Sequence, residues 1–299
     1  MKEGRMNKED GKMRRGGGRG YGWRRLVSRV MLAVVAATAL LSVGALLAVL
    51  GYVVVQGGPA LDLAFFTETP KPVGEPGGGM ANAIAGTLVL VALACALGLP
   101  VGAGAGIYLA EYGRDSRLAT AIRFMTDVLT GIPSITVGLF AYALVVLPMR
   151  SFSALAGGVA LAIIMLPTVI RATEEMLRLV PDGLREASLA LGVPRWKTIM
   201  RVTFPSALGG IVTGALLAVA RVAGETAPLL FTAFGNRYWS WDLFQPIAAV
   251  PLQIFTYAIS PYEDWHRQAW AGALVLVGLV LLLSATARLV SARSRITQR

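Results

Sequence analysis

Long apolar stretches alternate with short polar ones along this chain. Asp62 is the first charge after Arg29, Glu111 the first after Glu75, Arg150 the first after Asp127, and Arg171 the first after Arg150. The uncharged runs 30–61, 76–110, 128–149 and 151–170 each reach or exceed the roughly 20 residues a helix needs to cross hydrocarbon. The pattern predicts an all-α polytopic membrane protein with six transmembrane helices, at about 30–54, 83–109, 127–147, 154–170, 208–232 and 270–287. A further charge-free segment, 243–262, competes as a seventh span. It contains Pro246, Pro251, Pro261, Gln245 and Gln253, which suit an external loop, a re-entrant piece or an interfacial helix better than lipid exposure.

Composition agrees with that pattern: of 299 residues 55% are hydrophobic and 15% charged, with mean hydropathy +0.63, which excludes an ordinary water-soluble globule. The net charge of +11 becomes a topology signal once it is divided among the loops. Lys and Arg outnumber Asp and Glu by 10 to 3 in the tail 1–29, by 3 to 2 over 111–123, by 6 to 4 over 171–201 and by 4 to 0 after residue 287. Acidic residues lead by 3 to 1 over 62–75 and by 3 to 2 over 237–267. Apart from the lone Arg150 between the third and fourth helices, basic excess on alternate sides places both termini, 1–29 and 289–299, in the cytoplasm. The tail's ten basic residues and its Gly-rich stretch are unlike a cleavable signal, so the first helix is expected to stay attached. Facing lipid headgroups explains the tail's charge without a nucleic-acid partner.

Candidate chemistry is sparse. The single Cys95 sits in an Ala/Leu/Gly run and the lone His266 has no clustered ligands, so neither points to redox or metal chemistry. No GxxxxGK[ST] loop is present. If ATP drives transport, another chain must hydrolyse it, and no cofactor is expected on this one.

The longest basic loop, 171–205, carries Leu184, Ala187, Ala190 and Leu191 at helical spacing beside Arg185, Glu186 and Ser188. Gly192 is placed to end that short helix as a left-handed cap, and Pro194 blocks its continuation. The segment EASLALGVPRWKTIMRVTFP, with Glu186, Ala187, Gly192 and Pro205, resembles the EAA loop of bacterial ABC importer permeases. The resemblance implies a cytoplasmic coupling helix between helices four and five that sits in a groove of an ATPase subunit. Without it, Arg185, Glu186 and Arg195 read as residues that solubilise a connection, and Arg185, Arg195 and Lys197 as headgroup contacts.

Arg221 and Glu225 lie inside the predicted fifth helix, four positions apart and therefore on one helical face. Charges at that depth face protein or water, paired with each other or with a translocated ion. Two readings stand: an ion pair that fixes packing, and an arginine whose forked donors match an oxyanion. Three more blocks, GGGMANAIAGTLVLVALACALGLPVGAGAGIYLAEYG, TGIPSITVGLFAY and RVAGETAPLLFTA, are similar to those of PstA-type permeases, the membrane subunits of the phosphate ABC importer. That resemblance extends from about residue 77 to 288 and implies an ABC importer type I permease fold. It also implies that Arg221 and Glu225 belong to the substrate pathway. Asn82, Gly86 and Thr87 read as an entrance or as a helix start, and Gly98–Gly106 with Pro100 as a kink or a close-packing stripe. Thr130, Gly131, Pro133 and Ser134 read as a broken gating segment or as packing.

The family resemblance further implies a second homologous permease, two ATP-binding cassette subunits that use the ATP, an extracytoplasmic phosphate-binding protein, and inorganic phosphate as solute. The expected location is the bacterial inner membrane, in contact with its lipids. Phosphonate, sulfate or molybdate permeases fit the coupling loop as well but fit the GIPSI and GETAPL blocks less well. A secondary transporter or a membrane scaffold would leave the coupling loop unexplained.

Overall fold

The computed structural model describes residues 18–72, 75, 77–113 and 116–296, and over them the chain is helical apart from loops and one isolated bridge, Phe234 to Ile247. It divides into two units, Met1–Val54 and Val55–Arg299.

The first unit is occupied by helix α1, Gly18–Gly57, which is free of charge beyond Arg29 and exposed over residues 21–49. α1 starts well before the predicted span, because the Arg-bearing segment 18–29 continues the helix outside the charge-free run.

The second unit is organised by two helices, α2 (Ala81–Ile107), which runs on into a π-helical turn Tyr108–Tyr112, and α5 (Ala154–Arg178). Small residues bring them together. A Cβ on Gly102 would lie 2.8 Å from the Val169 side chain, one on Gly106 2.5 Å from Thr173, and one on Gly158 2.6 Å from Leu93. Gly98, Gly102 and Gly106 recur every fourth residue, the spacing that lets two membrane helices approach closely without a hydrophobic driving force. Pro100 lies within this continuous helix, so the Gly98–Gly106 segment packs rather than breaks. α5 extends beyond the predicted residue 170 because Arg171, Glu174 and Arg178 find ionic partners there.

Two spans are interrupted. The third consists of α3 (Arg117–Gly131) and α4 (Ser134–Ala141, continuing through π-helical Tyr142–Val146 to Met149), bent by 110° where one continuous helix over 127–147 was expected. Pro133 has no N–H to donate and drives Ile132 into an extended conformation, which ends α3. The fifth span, α7 (Phe204–Ala223), stops short of the expected residue 232, and after Gly224, Glu225 and Thr226 a short helix α8 (Ala227–Leu230) follows. The segment 243–262 contains the nine-residue helix α9 (Val250–Ala258), about 14 Å long and too short for a core of about 30 Å. The last helix, α10 (Glu263–Ile296), packs on α9 and α7.

Five helices are long and apolar enough to cross a membrane, or six if the bent α3–α4 pair is one span, among the described residues. The core joins α2, α4, α5, α7 and α8 through Leu90, Val137, Leu161, Val222 and Leu229, with Cys95 packed at its edge.

Candidate functional site

The polar and interrupted features fall into three groups: a knob in the loop 171–205, an ionic cluster on α3 and α5, and the two helix breaks.

The knob is helix α6, Asp182–Ala190. Its end is a Schellman motif: Gly192 at φ 75° donates its N–H to Leu189 O at 2.9 Å, and Val193 donates to Ser188 O at 3.3 Å. The burial pattern reverses the usual one. Leu184, Leu189 and Leu191 are exposed, as are Glu186 and Ala187, whereas Ser188 is buried with its hydroxyl 2.9 Å from that of Thr198. Pro205 lies just after a π-helical turn, Ile199–Thr203, within a helix that runs from Arg195 to Ala223.

Arg185, read from sequence as a solubilising or headgroup-facing residue, instead turns inward. Its guanidinium donates to Glu111 at the end of α2, with Nη2 2.8 Å from Oε1, and to the carbonyls of Leu177 at 2.7 Å and Val180 at 2.6 Å beyond α5. Arg195 is also bound inward, donating to the Glu111 carbonyl and lying over the Tyr112 ring. A cavity of about 370 Å³ opens beside these groups, lined by Glu111, Asp182, Arg185, Glu186 and Arg195 among others.

The ionic cluster joins α3 to α5. Arg171 pairs with Asp127, and Glu174, 11% exposed at its side chain, accepts from Arg123 at 2.9 Å and pairs with Arg178 at 2.6 Å. Asp127, the first residue of the span predicted at 127–147, therefore lies inside a helix and carries an interhelical ion pair.

The interruptions pack on each other. A Cβ on Gly138 of α4 would lie 2.6 Å from Pro228 Cα of α8, and Ile132 and Val137 share a buried cluster with Val222 and Leu229. Thr130 and Gly131 close α3, with the Thr130 hydroxyl donating to Thr126 O at 2.8 Å; Pro133 and Ser134 open α4. Among the described residues nothing lies within 4 Å of a Cβ at Gly131. Arg221 lies in the last turn of α7, where its charge complements the helix C-terminus. Its Nε is 3.7 Å from Glu225 Oε1, with the side chains 55% and 17% exposed. Glu225 is beyond the helix end, so the pair bridges the break instead of sharing a helical face.

On the opposite end of α2 from Glu111, Asn82 and Thr87 fasten the loop after α8. Asn82 Nδ2 donates to Asn236 O at 2.9 Å and Val250 N donates to Thr87 Oγ1 at 2.9 Å, while Gly86 leaves room for Ala248. The same loop caps α5, Ala154 donating to Gln245 O and Leu155 to Leu243 O. Sequence reasoning missed Glu111, Arg123 and Glu174. Glu111 had one signal, as the first charge after a 35-residue gap, but its partner lies 74 positions away.

A chain of broken membrane helices around paired charges, with an exposed knob on one loop, defines a transport permease. It belongs to the family of binding-protein-dependent transport system inner membrane components, whose pattern matches residues 102–296. It is thus an inner-membrane, multi-pass component and not the hydrolytic part of its transporter; the family's description implies an ATPase and a binding protein as partners.

Within that class its similarity is to PstA. The chain is 50% identical to the phosphate transport system permease protein PstA of Yersinia pestis over 273 residues, covering 91% of this chain and 92% of that one. It is 45% identical to the Haemophilus influenzae protein of the same name, covering 89% and 94%. In fold it resembles a chain of the inward-facing MetNI methionine ABC transporter, with TM-score 0.55 and 23% identity over 71% of this chain and 92% of that one. A chain of an amino acid ABC transporter with histidines gives 0.54, with 19% identity and the same coverages.

Proposed function

We propose that this chain is the permease subunit of an ATP-driven phosphate importer, forming half of the translocation pathway with a second homologous permease. The observation that carries the reading is the 50% identity to a phosphate permease across nine-tenths of both chains. The fold is that of a type I importer permease with six transmembrane helices and cytoplasmic termini. Basic excess on alternate loops supports that orientation.

In this reading α6 is the coupling helix. Its exposed Leu184, Ala187, Leu189 and Leu191 offer an apolar surface beside Glu186, complementary to a groove in an ATPase subunit, and Gly192 and Pro205 bound the segment that moves. Two such ATPases bind and hydrolyse the ATP, and this chain binds no cofactor. Phosphate arrives on an extracytoplasmic binding protein that docks on the outer loops, and membrane lipids cover the remaining apolar surface.

Arg221 supplies positive charge to the pathway. Its exposure leaves donors free toward a shared cavity, and Glu225 at 3.7 Å offsets part of its charge, so an oxyanion is attracted without being trapped. The helix breaks at 132–133 and 224–226 supply the flexible backbone of a gate formed by Thr130, Gly131, Pro133 and Ser134. The direct test is ATP-dependent uptake by the reconstituted complex, with phosphate and sulfate each offered on their own binding proteins. Uptake of phosphate alone is expected; transport of sulfate at the same rate would refute the substrate, and uptake without ATP would refute the class.

A further inference from the structure

The Arg185 guanidinium joins three elements. It is carried by α6, held by the Glu111 carboxylate at the end of the α2 segment, and bonded to two carbonyls at the end of α5. All its N–H directions toward the protein are used: Nε donates to Glu111 at 3.1 and 3.3 Å, Nη2 to Glu111 and Leu177, and Nη1 to Val180 and Asp182. The side chains are 13% and 5% exposed, so solvent does not screen the pair as it does at a surface. Arg195, on the other flank of α6, adds a bond to the Glu111 carbonyl.

We propose that the Glu111–Arg185 pair is the strut that carries displacement of the coupling helix into the membrane, and that Glu111 is its positioning residue on the second span. This rests on the permease reading above. The reason is mechanical. α6 presents its apolar side outward, so little hydrophobic packing holds it to the rest of the chain, and the polar ties of Arg185 and Ser188 are what a push on α6 acts through. The α2 and α5 ends gripped by Arg185 belong to the two helices locked by Gly102 and Gly106, which receive the displacement as one body. A lysine at 185 would keep the charge but not the fork that reaches Glu111, Leu177 and Val180 together.

The test uses the complete transporter in proteoliposomes, with phosphate-loaded binding protein, and reads phosphate moved per ATP hydrolysed at equal amounts of assembled complex. In Glu111→Gln and in Arg185→Lys that ratio is expected to fall by about tenfold, the scale of a typical coupling between two sites. The double variant Glu111→Gln, Arg185→Lys is expected to fall no further than the single ones, the signature of a shared interaction. An unchanged ratio in Glu111→Gln, or losses that multiply in the double variant, would overturn the strut. So would reduced assembly with a normal ratio, which assigns the pair to folding alone. Failure of the unaltered complex to take up phosphate would count against the permease reading instead.

Discussion

Arg221 shows what a single residue discloses. Its charge in an otherwise apolar run marked it in the sequence, since topology has no use for a cation there. The geometry of its pairing was not legible, because four-residue spacing implied one helical face and the helix ends at Ala223. The 3.7 Å separation and the open side chain favour an arginine that still has donors to offer. Arg221→Gln is expected to lower phosphate uptake by roughly ten- to a hundredfold, the worth of a charge-assisted hydrogen bond, while leaving membrane insertion and complex yield intact. Equal losses of uptake and of assembled complex would make the residue a packing element. Glu111 and Glu174 were hidden for the opposite reason: each sits near a predicted loop, where charge is ordinary, and acquires meaning only from arginines far along the chain.

At the scale of elements, α6 was the most legible, since Gly192, Pro194 and the EAA spacing punctuate it within a dozen residues. Its orientation was not, because periodicity identifies an apolar face without saying whether the protein or a partner covers it. Gly192→Pro removes the N–H that bonds Leu189 and excludes the φ of 75°, at a cost of at least the roughly 1–2 kcal/mol of a left-handed L-residue. The protein is expected to insert normally, and ATP-stimulated uptake to be lost. Normal uptake by this variant would remove the cap from the coupling device. The helix breaks were half visible: Pro133 interrupts its span as proline chemistry requires, whereas the stop at Gly224 had only a glycine and a polar pair to announce it.

For the whole chain, the alternation of apolar runs and basic loops found the five helices long and apolar enough to cross a membrane, and the bent α3–α4 pair that makes a sixth if it is one span, among the described residues, and kept 243–262 from being counted as another. What it could not supply was contact between distant segments, above all the glycine-lined seam of α2 with α5 and the loop that ties Asn82 to Asn236. The charge asymmetry makes one prediction about the complete molecule: reporter enzymes fused to either end should register the cytoplasm, and an external signal from the C-terminal fusion would restore a seventh crossing. A further consequence follows from Gly138 resting on Pro228. Interruptions in two different spans that touch at a point without room for a methyl group act as a single joint, not as two independent hinges. Neither α4 nor α8 can swing without displacing the other, so the chain has one articulation where the count of broken helices suggests two.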